Sequence, residues 1–272
     1  MRIGFIGVGS QGAPMTRRII DAGYETTLWA RRSASLEPFS GTPAKIAGSP
    51  AELAAGSDLV CLCVVSDADV QEIISGQHGI LAGIDEGGVI AIHSTVHPDT
   101  CRSVADNAAG HGVAVIDAPV SGGGQAAAAG NLLVMVGGET KVVERCRPVF
   151  STYGNPVVHM GALGSGQVAK LLNNLLFTAN LGAAADTFAL GRSLGVEPEA
   201  LAEVITRGSA HSYAVGSIVA GGGTVEPIAA LAGPLLNKDV ALVSGLADAA
   251  DISAGIALTA ADGTLGLMNH PR

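Results

Sequence analysis

The chain has 272 residues, 48% of them hydrophobic, with 38 glycines, 3% aromatic and 14% charged side chains. That is apolar surface enough for one large or two ordinary domains, and it excludes a disordered or fibrous chain. The formal net charge of -9, with no stripe of Lys or Arg, argues against nucleic acid and anionic membrane as partners.

The chain opens on an apolar run at residues 2–6 with no basic segment and long apolar stretch of a secretory leader, so a cytoplasmic protein is expected. Further strands are expected at 26–29, 58–64, 89–93, 114–117, 132–136 and 156–159, short runs rich in Val, Ile and Leu. Several are apolar throughout, as strands covered on both faces are. Helical patterns fall between them at 13–22, 67–74, 98–109 and 141–150, with sound starts at Asp67 and at Pro98 followed by Asp99. Strand–helix alternation of this kind builds a parallel, doubly wound sheet. Neither the four cysteines nor the seven histidines show a metal-ligand spacing, and no metal is expected. Cys61 and Cys63, two apart in a strand, read as buried small hydrophobes in a reducing compartment.

After His159 the pattern changes. Gly161, Gly164 and Gly166 mark a loop, and a long helix is expected from Ser165 to about Leu194. Shorter helices follow at 198–206, 211–219, 235–250 and 255–268, with Pro198 as a first-turn proline. Residues 220–234 read as a loop around Gly221, Gly222 and Gly223. Residues 171–191 are superficially membrane-like, but Asn173, Asn174, Asn180 and Asp186, with Lys170 just before them, would be costly in hydrocarbon. A helix buried in protein fits better, and because it is apolar over more than one stripe a homodimer or homotetramer is expected. The expected plan is α/β: a Rossmann-type parallel-sheet domain over 1–161, then an all-α domain over 162–272 for substrate and dimerisation, beginning with a long connecting helix.

Residues 3–12 read IGFIGVGSQG. Gly7, Gly9 and Gly12 form G-x-G-x-x-G after a strand and at the start of a helix, which is the context that turns a weak pattern into a dinucleotide-binding turn. Val8, Ser10 and Gln11 complete the turn, and the helix N-terminus offers free N–H groups to the phosphates. The second strand ends in Ala30, Arg31 and Arg32, where a carboxylate for a ribose 2′-hydroxyl would be expected of an NAD protein. Two guanidinium groups can clamp a 2′-phosphate, which favours NADP with NAD possible. A pair of solvated surface arginines is the alternative.

The chain resembles the β-hydroxyacid dehydrogenases, the family of 3-hydroxyisobutyrate dehydrogenase and tartronate semialdehyde reductase, over nearly its whole length. The resemblance rests on GVGSQGAPM from Gly7, His93-Ser94-Thr95, DAPVSGG from Asp117 with GNLLVMVGG from Gly130, GSGQVAKLLNN from Gly164, and Asn237-Lys238-Asp239. Gln11 stands where the family usually has Met, Val64 and Val65 where Leu-Pro is common, and Leu231 where Phe is frequent. The resemblance implies that Lys170 is the catalytic lysine and Asn174 orients the substrate. It implies that Ser121 with the Gly122 and Gly123 backbone holds a substrate carboxylate. Val64 and Val65 would lie near the cofactor, and Thr95 and Lys238 against its nicotinamide end.

The residues suit these roles. Desolvation inside an apolar helix is expected to lower the pKa of Lys170, and Asn174 follows one helical turn later on the same face. On residues alone, Lys170 is equally a lysine snorkelling at a helix start. Successive N–H groups in the Ser-Gly-Gly turn make an anion site, although an ordinary tight turn reads the same. His93 reads as structural, and the resemblance implies that His211 and Tyr213 are candidate specificity residues. The reading is an NADP-preferring oxidoreductase moving hydride between nicotinamide and a small 3-hydroxy acid or its semialdehyde, with a lysine acid/base. An imine reductase and a non-catalytic NADP-binding sensor are the alternatives, and both usually lack the lysine. 6-Phosphogluconate dehydrogenase needs a longer helical domain.

Overall fold

A computed structural model describes residues 1–272. The chain begins β1 (Ile3–Ile6), α1 (Gly12–Asp21), β2 (Thr26–Trp29), β3 (Lys45–Ile46), α2 (Pro50–Ala55), β4 (Leu59–Leu62), α3 (Asp67–Ser75), β5 (Val89–Ile92), α4 (Pro98–Ala109) and β6 (Ala114–Asp117). Every residue of β1, β4 and β5 is buried, because helices cover both faces of the sheet. The period of two sorts them. Phe5, Cys61 and Ala91 face a core shared with Ile19 of α1. Ile6, Leu62 and Ile92 face the opposite core, shared with Ile74 of α3 and Val104 of α4. Gly4 lets α2 approach, since a Cβ there would run into Leu53. The strands are ordered β3-β2-β1-β4-β5-β6 and run parallel. This is the doubly wound order whose switch point, between β1 and β4, is where a dinucleotide binds.

The sheet is not parallel throughout, as the alternation of elements predicts. It continues through β7 (Val120–Ser121), α5 (Gly123–Ala129), β8 (Leu132–Gly137), α6 (Thr140–Phe150) and β9 (Gly154–Gly161). β8 runs antiparallel to β6 and β7, with Val120 opposite Val134, and β9 then pairs parallel with β8. β6 and β7 lie in one register along the same side of β8, interrupted at Pro119, which has no N–H for a ladder. The short helix α5 and the left-handed Gly130 that ends it reverse the chain within too few residues for a parallel crossover.

The chain packs as two compact units, Met1–Lys170 and Leu171–Arg272; the division falls inside α7 (Ser165–Ser193). The second unit consists of the rest of α7 with α8 (Pro198–Arg207), α9 (Tyr213–Ala220), α10 (Glu226–Ala249) and α11 (Gly255–Leu267). Its core joins Leu171, Leu175 and Phe188 to Ile218, Val240 and Leu265. Gly182 admits close packing of α7 on α11, since a Cβ there would strike Thr264. No helix is long and apolar enough to cross a membrane. α9 starts two residues later than its pattern predicts, because Ser212 caps it by accepting from the Val215 N–H. α10 starts nine residues before the predicted 235: Pro227 occupies its first turn and Pro234 lies inside it on an exposed face, so that proline is no helix stop.

Candidate active site

The turn after β1 gives each of its three glycines a separate requirement. Gly7 has φ +94°, and a Cβ there would collide with the Cys63 carbonyl. A Cβ on Gly12 would collide with the Gly7 carbonyl, whereas one on Gly9 would meet nothing within 4 Å. Gly7 and Gly12 therefore serve the fold, and Gly9 keeps a space open at the switch point. Val8 is buried and Ser10 exposed. Gln11 sits at the N-cap of α1 without a side-chain cap bond, and its amide Nε2 is buried with no hydrogen-bond partner. An open glycine, an uncapped helix N-terminus and an orphaned donor together fit the pyrophosphate of a dinucleotide.

At the end of β2, Ala30 is half-buried and the two arginines are exposed. Arg31 pairs with Asp69 at 2.9 Å and Glu72 at 3.3 Å on α3, carboxylates that the sequence pattern does not bring to mind. Asp69 also completes the Ser66 capping box of α3, and its carboxyl is held below the usual range by Ser66 and Arg31. Past β4, the Val64 N–H donates to Ser94 Oγ at 2.8 Å, and Val65 is exposed. Thr95, half-buried, follows Ser94.

A second glycine loop follows β7. Ser121 is half-buried, and Gly122 and Gly123 have φ +128° and +74°, the left-handed region that glycine alone enters freely. A Cβ on Gly123 would meet nothing, and one on Gly124 would lie 2.8 Å from the Ser10 carbonyl. The two glycine loops thus abut, both with open space beside them.

Asp117 and Gln167 join this part of the molecule, and neither was singled out by its residue type. Asp117 is fully buried and accepts the Gly164 and Gln167 N–H groups, each at 2.7 Å. Burial raises its pKa above the ordinary carboxylate range, and the backbone N–H groups pull the other way. It thereby caps the start of α7, on which Lys170 is half-buried. His93 is structural as read: buried, its Nδ1 2.6 Å from the Ala118 carbonyl and its Nε2 3.2 Å from the Tyr153 hydroxyl.

In the second unit, Asn174 Nδ2 donates to Asp239 Oδ2 at 2.6 Å, and its Oδ1 accepts from Asn173 at 3.1 Å. Lys238 Nζ lies 3.3 Å from Asp239 Oδ1. The motif Asn237-Lys238-Asp239 was the signal for Asp239, whose buried carboxylate gathers Asn174 and Lys238. His211 and Tyr213 are exposed, the tyrosine ring 6.0 Å from that of Phe177. Leu231 is 84% exposed.

A doubly wound sheet with a fitted glycine turn at its switch point, continued by an all-helical unit, is the build of a nicotinamide-dependent dehydrogenase. Residues 2–161 match the family model of the NAD-binding domain of 6-phosphogluconate dehydrogenase. Residues 164–264 match that of NADP-dependent 3-hydroxyisobutyrate dehydrogenase, described as NAD-binding. The chain is 35% identical over 214 residues to an NAD-dependent L-serine dehydrogenase of Pseudomonas aeruginosa, covering 79% of this chain and 72% of the relative. Among solved structures it resembles a 3-hydroxyisobutyrate dehydrogenase of Mycobacterium tuberculosis with L-serine, at TM-score 0.85 and 27% identity over 99% of this chain and 94% of that one. It also resembles Psf3 in complex with NADP+ and 2-OPP, at TM-score 0.84 and 25% identity over 96% and 92% of the two chains. An imine reductase from Pseudomonas sp., at TM-score 0.67 and 17% identity over 98% and 92%, shares the fold. The chain belongs to the β-hydroxyacid dehydrogenase family. It is an NAD(P)-dependent oxidoreductase of the 3-hydroxyisobutyrate dehydrogenase type, acting on CH–OH groups.

Proposed function

We propose that the protein is an NADP-preferring dehydrogenase interconverting a small 3-hydroxy acid and its semialdehyde or keto acid, with Lys170 as general acid and base. The observation that carries this reading is the close approach of Gly124 to the Ser10 carbonyl, which brings the Ser121-Gly122-Gly123 loop beside the dinucleotide turn. Ser121 Oγ and the Gly122 and Gly123 N–H groups hold the substrate carboxylate. Asp239 fixes one N–H of the Asn174 amide, leaving its second N–H for the reacting oxygen. Nicotinamide, when bound, supplies the hydride chemistry. Lys170 gives a proton to the substrate oxygen in reduction and takes the hydroxyl proton in oxidation.

The absence of a carboxylate at Ala30, Arg31 and Arg32 supports NADP, with Arg31 exchanging Asp69 and Glu72 for the 2′-phosphate. Leu172 and Leu176, 54% and 56% exposed on α7, support assembly into a homodimer or homotetramer through the helical units. Four unpaired cysteines suit a reducing, cytoplasmic setting. The test is a panel of semialdehydes, hydroxy acids and cyclic imines with NADPH and NADH. Wild type is expected to reduce semialdehydes with NADPH, and Lys170→Ala to lose about 10²-fold or more in turnover. Undiminished turnover by Lys170→Ala removes the assigned role. Reduction of imines alone replaces the reading with imine reduction, and tight NADPH binding without any turnover replaces it with a sensor.

A further inference from the structure

Gln167 is fully buried, and the reaction proposed above gives it no part. Its side-chain amide meets the Cys101 thiol and makes two bonds to one short stretch of backbone. Nε2 donates to the Ser94 carbonyl at 2.8 Å, and Oε1 accepts from the Val96 N–H at 3.1 Å. The two bonded residues flank Thr95. The backbone N–H of Gln167 is in turn held by Asp117 Oδ2 at 2.7 Å, with Asp117 Oδ1 on the Gly164 N–H. Ser94 is tied from its other side by the Val64 N–H to its Oγ. Gly166 has no room for a side chain, since a Cβ would crowd the Met135 carbonyl and Asp117 Oδ2. The first turn of α7 is thus locked to the ends of β4, β5 and β6. Lys170 lies three residues beyond Gln167 on that helix, on the same side of it.

Capping alone does not require Gln167, because Asp117 already satisfies the helix start. A primary amide is neutral and carries a donor and an acceptor on separate atoms, so it can donate to one backbone carbonyl and accept from an N–H two residues on. Its effect is to fix the backbone on both sides of Thr95.

We propose that Gln167 is a positioning residue, whose amide holds the Thr95 segment in fixed register with the turn of α7 that carries Lys170. The inference rests on the functional reading above, in which Thr95 meets the nicotinamide end of the cofactor and Lys170 moves the proton. Gln167 then sets the two halves of the reaction relative to one another, without touching substrate or cofactor.

The test compares Gln167→Met, which keeps the length and loses both bonds, with Gln167→Glu, which keeps the acceptor and loses the donor to Ser94. Calorimetric affinities are measured for NADPH and for 2′-phospho-ADP-ribose, which lacks the nicotinamide. Loss of position at Thr95 is expected to weaken NADPH by about tenfold in Gln167→Met, one positioned hydrogen bond's worth, and to leave the fragment within about twofold. Gln167→Glu is expected to show the same change in the ratio, and it serves alone if Gln167→Met does not fold. A merely structural role would weaken both ligands equally, and that result, or unchanged affinity for both, overturns the inference. Wild type that binds neither ligand overturns the functional reading and this inference with it. Wild type that binds both, with variants of unaltered ratio, overturns the inference alone.

Discussion

His93 gives the stability of the fold a pH dependence of its own. Its ring is stacked on Phe5 at 6.3 Å and meets Phe150 and Tyr153 edge-on at 5.5 Å and 5.8 Å. A carbonyl only accepts, so Nδ1 carries the hydrogen toward Ala118, and Nε2 accepts from the Tyr153 hydroxyl. A second proton would have to enter at Nε2, against that donor and inside an aromatic cluster. Burial accordingly lowers the His93 pKa from 6.5 to about 4. The unfolded chain takes up the proton as pH falls through 6.5, while the folded chain refuses it until about 4. Within that window the unfolded state binds more protons, so stability is lost as pH falls. At about 1.4 kcal/mol for each step of one on the pH scale, a gap of about 2.5 removes roughly 3 kcal/mol by about pH 4. His93→Phe keeps the ring packing but leaves the Ala118 carbonyl and Tyr153 hydroxyl unpaired, costing about 1–3 kcal/mol for each near neutral pH. It also removes the titration. Urea unfolding of both proteins, followed by circular dichroism from about pH 7 to about pH 4, is expected to show the variant's deficit narrowing steadily, by roughly 3 kcal/mol at the acid end. A deficit that stays constant with pH, or an imidazole resonance of His93 titrating near 6.5, refutes the reasoning.

Gln11→Met is expected to raise the stability of the ligand-free protein by about 1 kcal/mol, because it removes a buried donor without an acceptor, and to weaken dinucleotide binding severalfold. Thermal melting with and without NADPH checks both; a variant that gains no stability and loses no affinity shows that the donor is of no consequence. Glu72→Gln removes the charge of the exposed one of Arg31's two partners, so the melting temperature is expected to hold while the affinity ratio of NADPH to NADH rises about two- to fivefold. Arg31→Ala is expected to lower that ratio about tenfold, and equal losses for the two cofactors would show that the arginine does not read the 2′-phosphate.

Much of the first unit was legible because its strands are covered on both faces. LVCL in β4 and VIAI in β5 need no partner to be read, since continuous apolarity is itself the mark of a central parallel strand. The elements that were missed carry no such mark. β3 is a two-residue edge strand with both residues exposed. β7 is two residues cut from β6 by Pro119. α5 reads GGQAAAA, which has helix propensity but no apolar stripe, so periodicity cannot find it. The antiparallel course of β8 was hidden for the same reason, because the connection that reverses the chain is that unmarked helix. In α10 the signal was present and misleading, as Pro234 is a breaker in most helix interiors and is tolerated here on an exposed face.

The site divides along a different line. Gly7, Gly9 and Gly12 were legible because each steric demand is met by one residue type, whatever surrounds it. The bonds of Asp117 to residues 47 and 50 positions later, and of Arg31 to residues 38 and 41 later, depend on the finished fold, and no local pattern announces them. The finished fold adds an indication of its own. The side-chain atoms that are buried without a hydrogen bond are Gln11 Nε2, Ser165 Oγ and Asp239 Oδ1. Each costs about 1–3 kcal/mol if nothing completes it. One lies in the dinucleotide turn, one at the start of the helix that carries Lys170, and one in the Asn237-Lys238-Asp239 motif, where Lys238 offers an ion pair without an aligned hydrogen bond. The apolar cores on either face of the sheet contain none. A folding defect would scatter such atoms through the interior, whereas a chain shaped for a ligand leaves them on the segments that meet it. The coincidence of these orphaned atoms with three family motifs, in two separately packed units, is therefore an argument for function that the resemblance of the motifs alone does not supply.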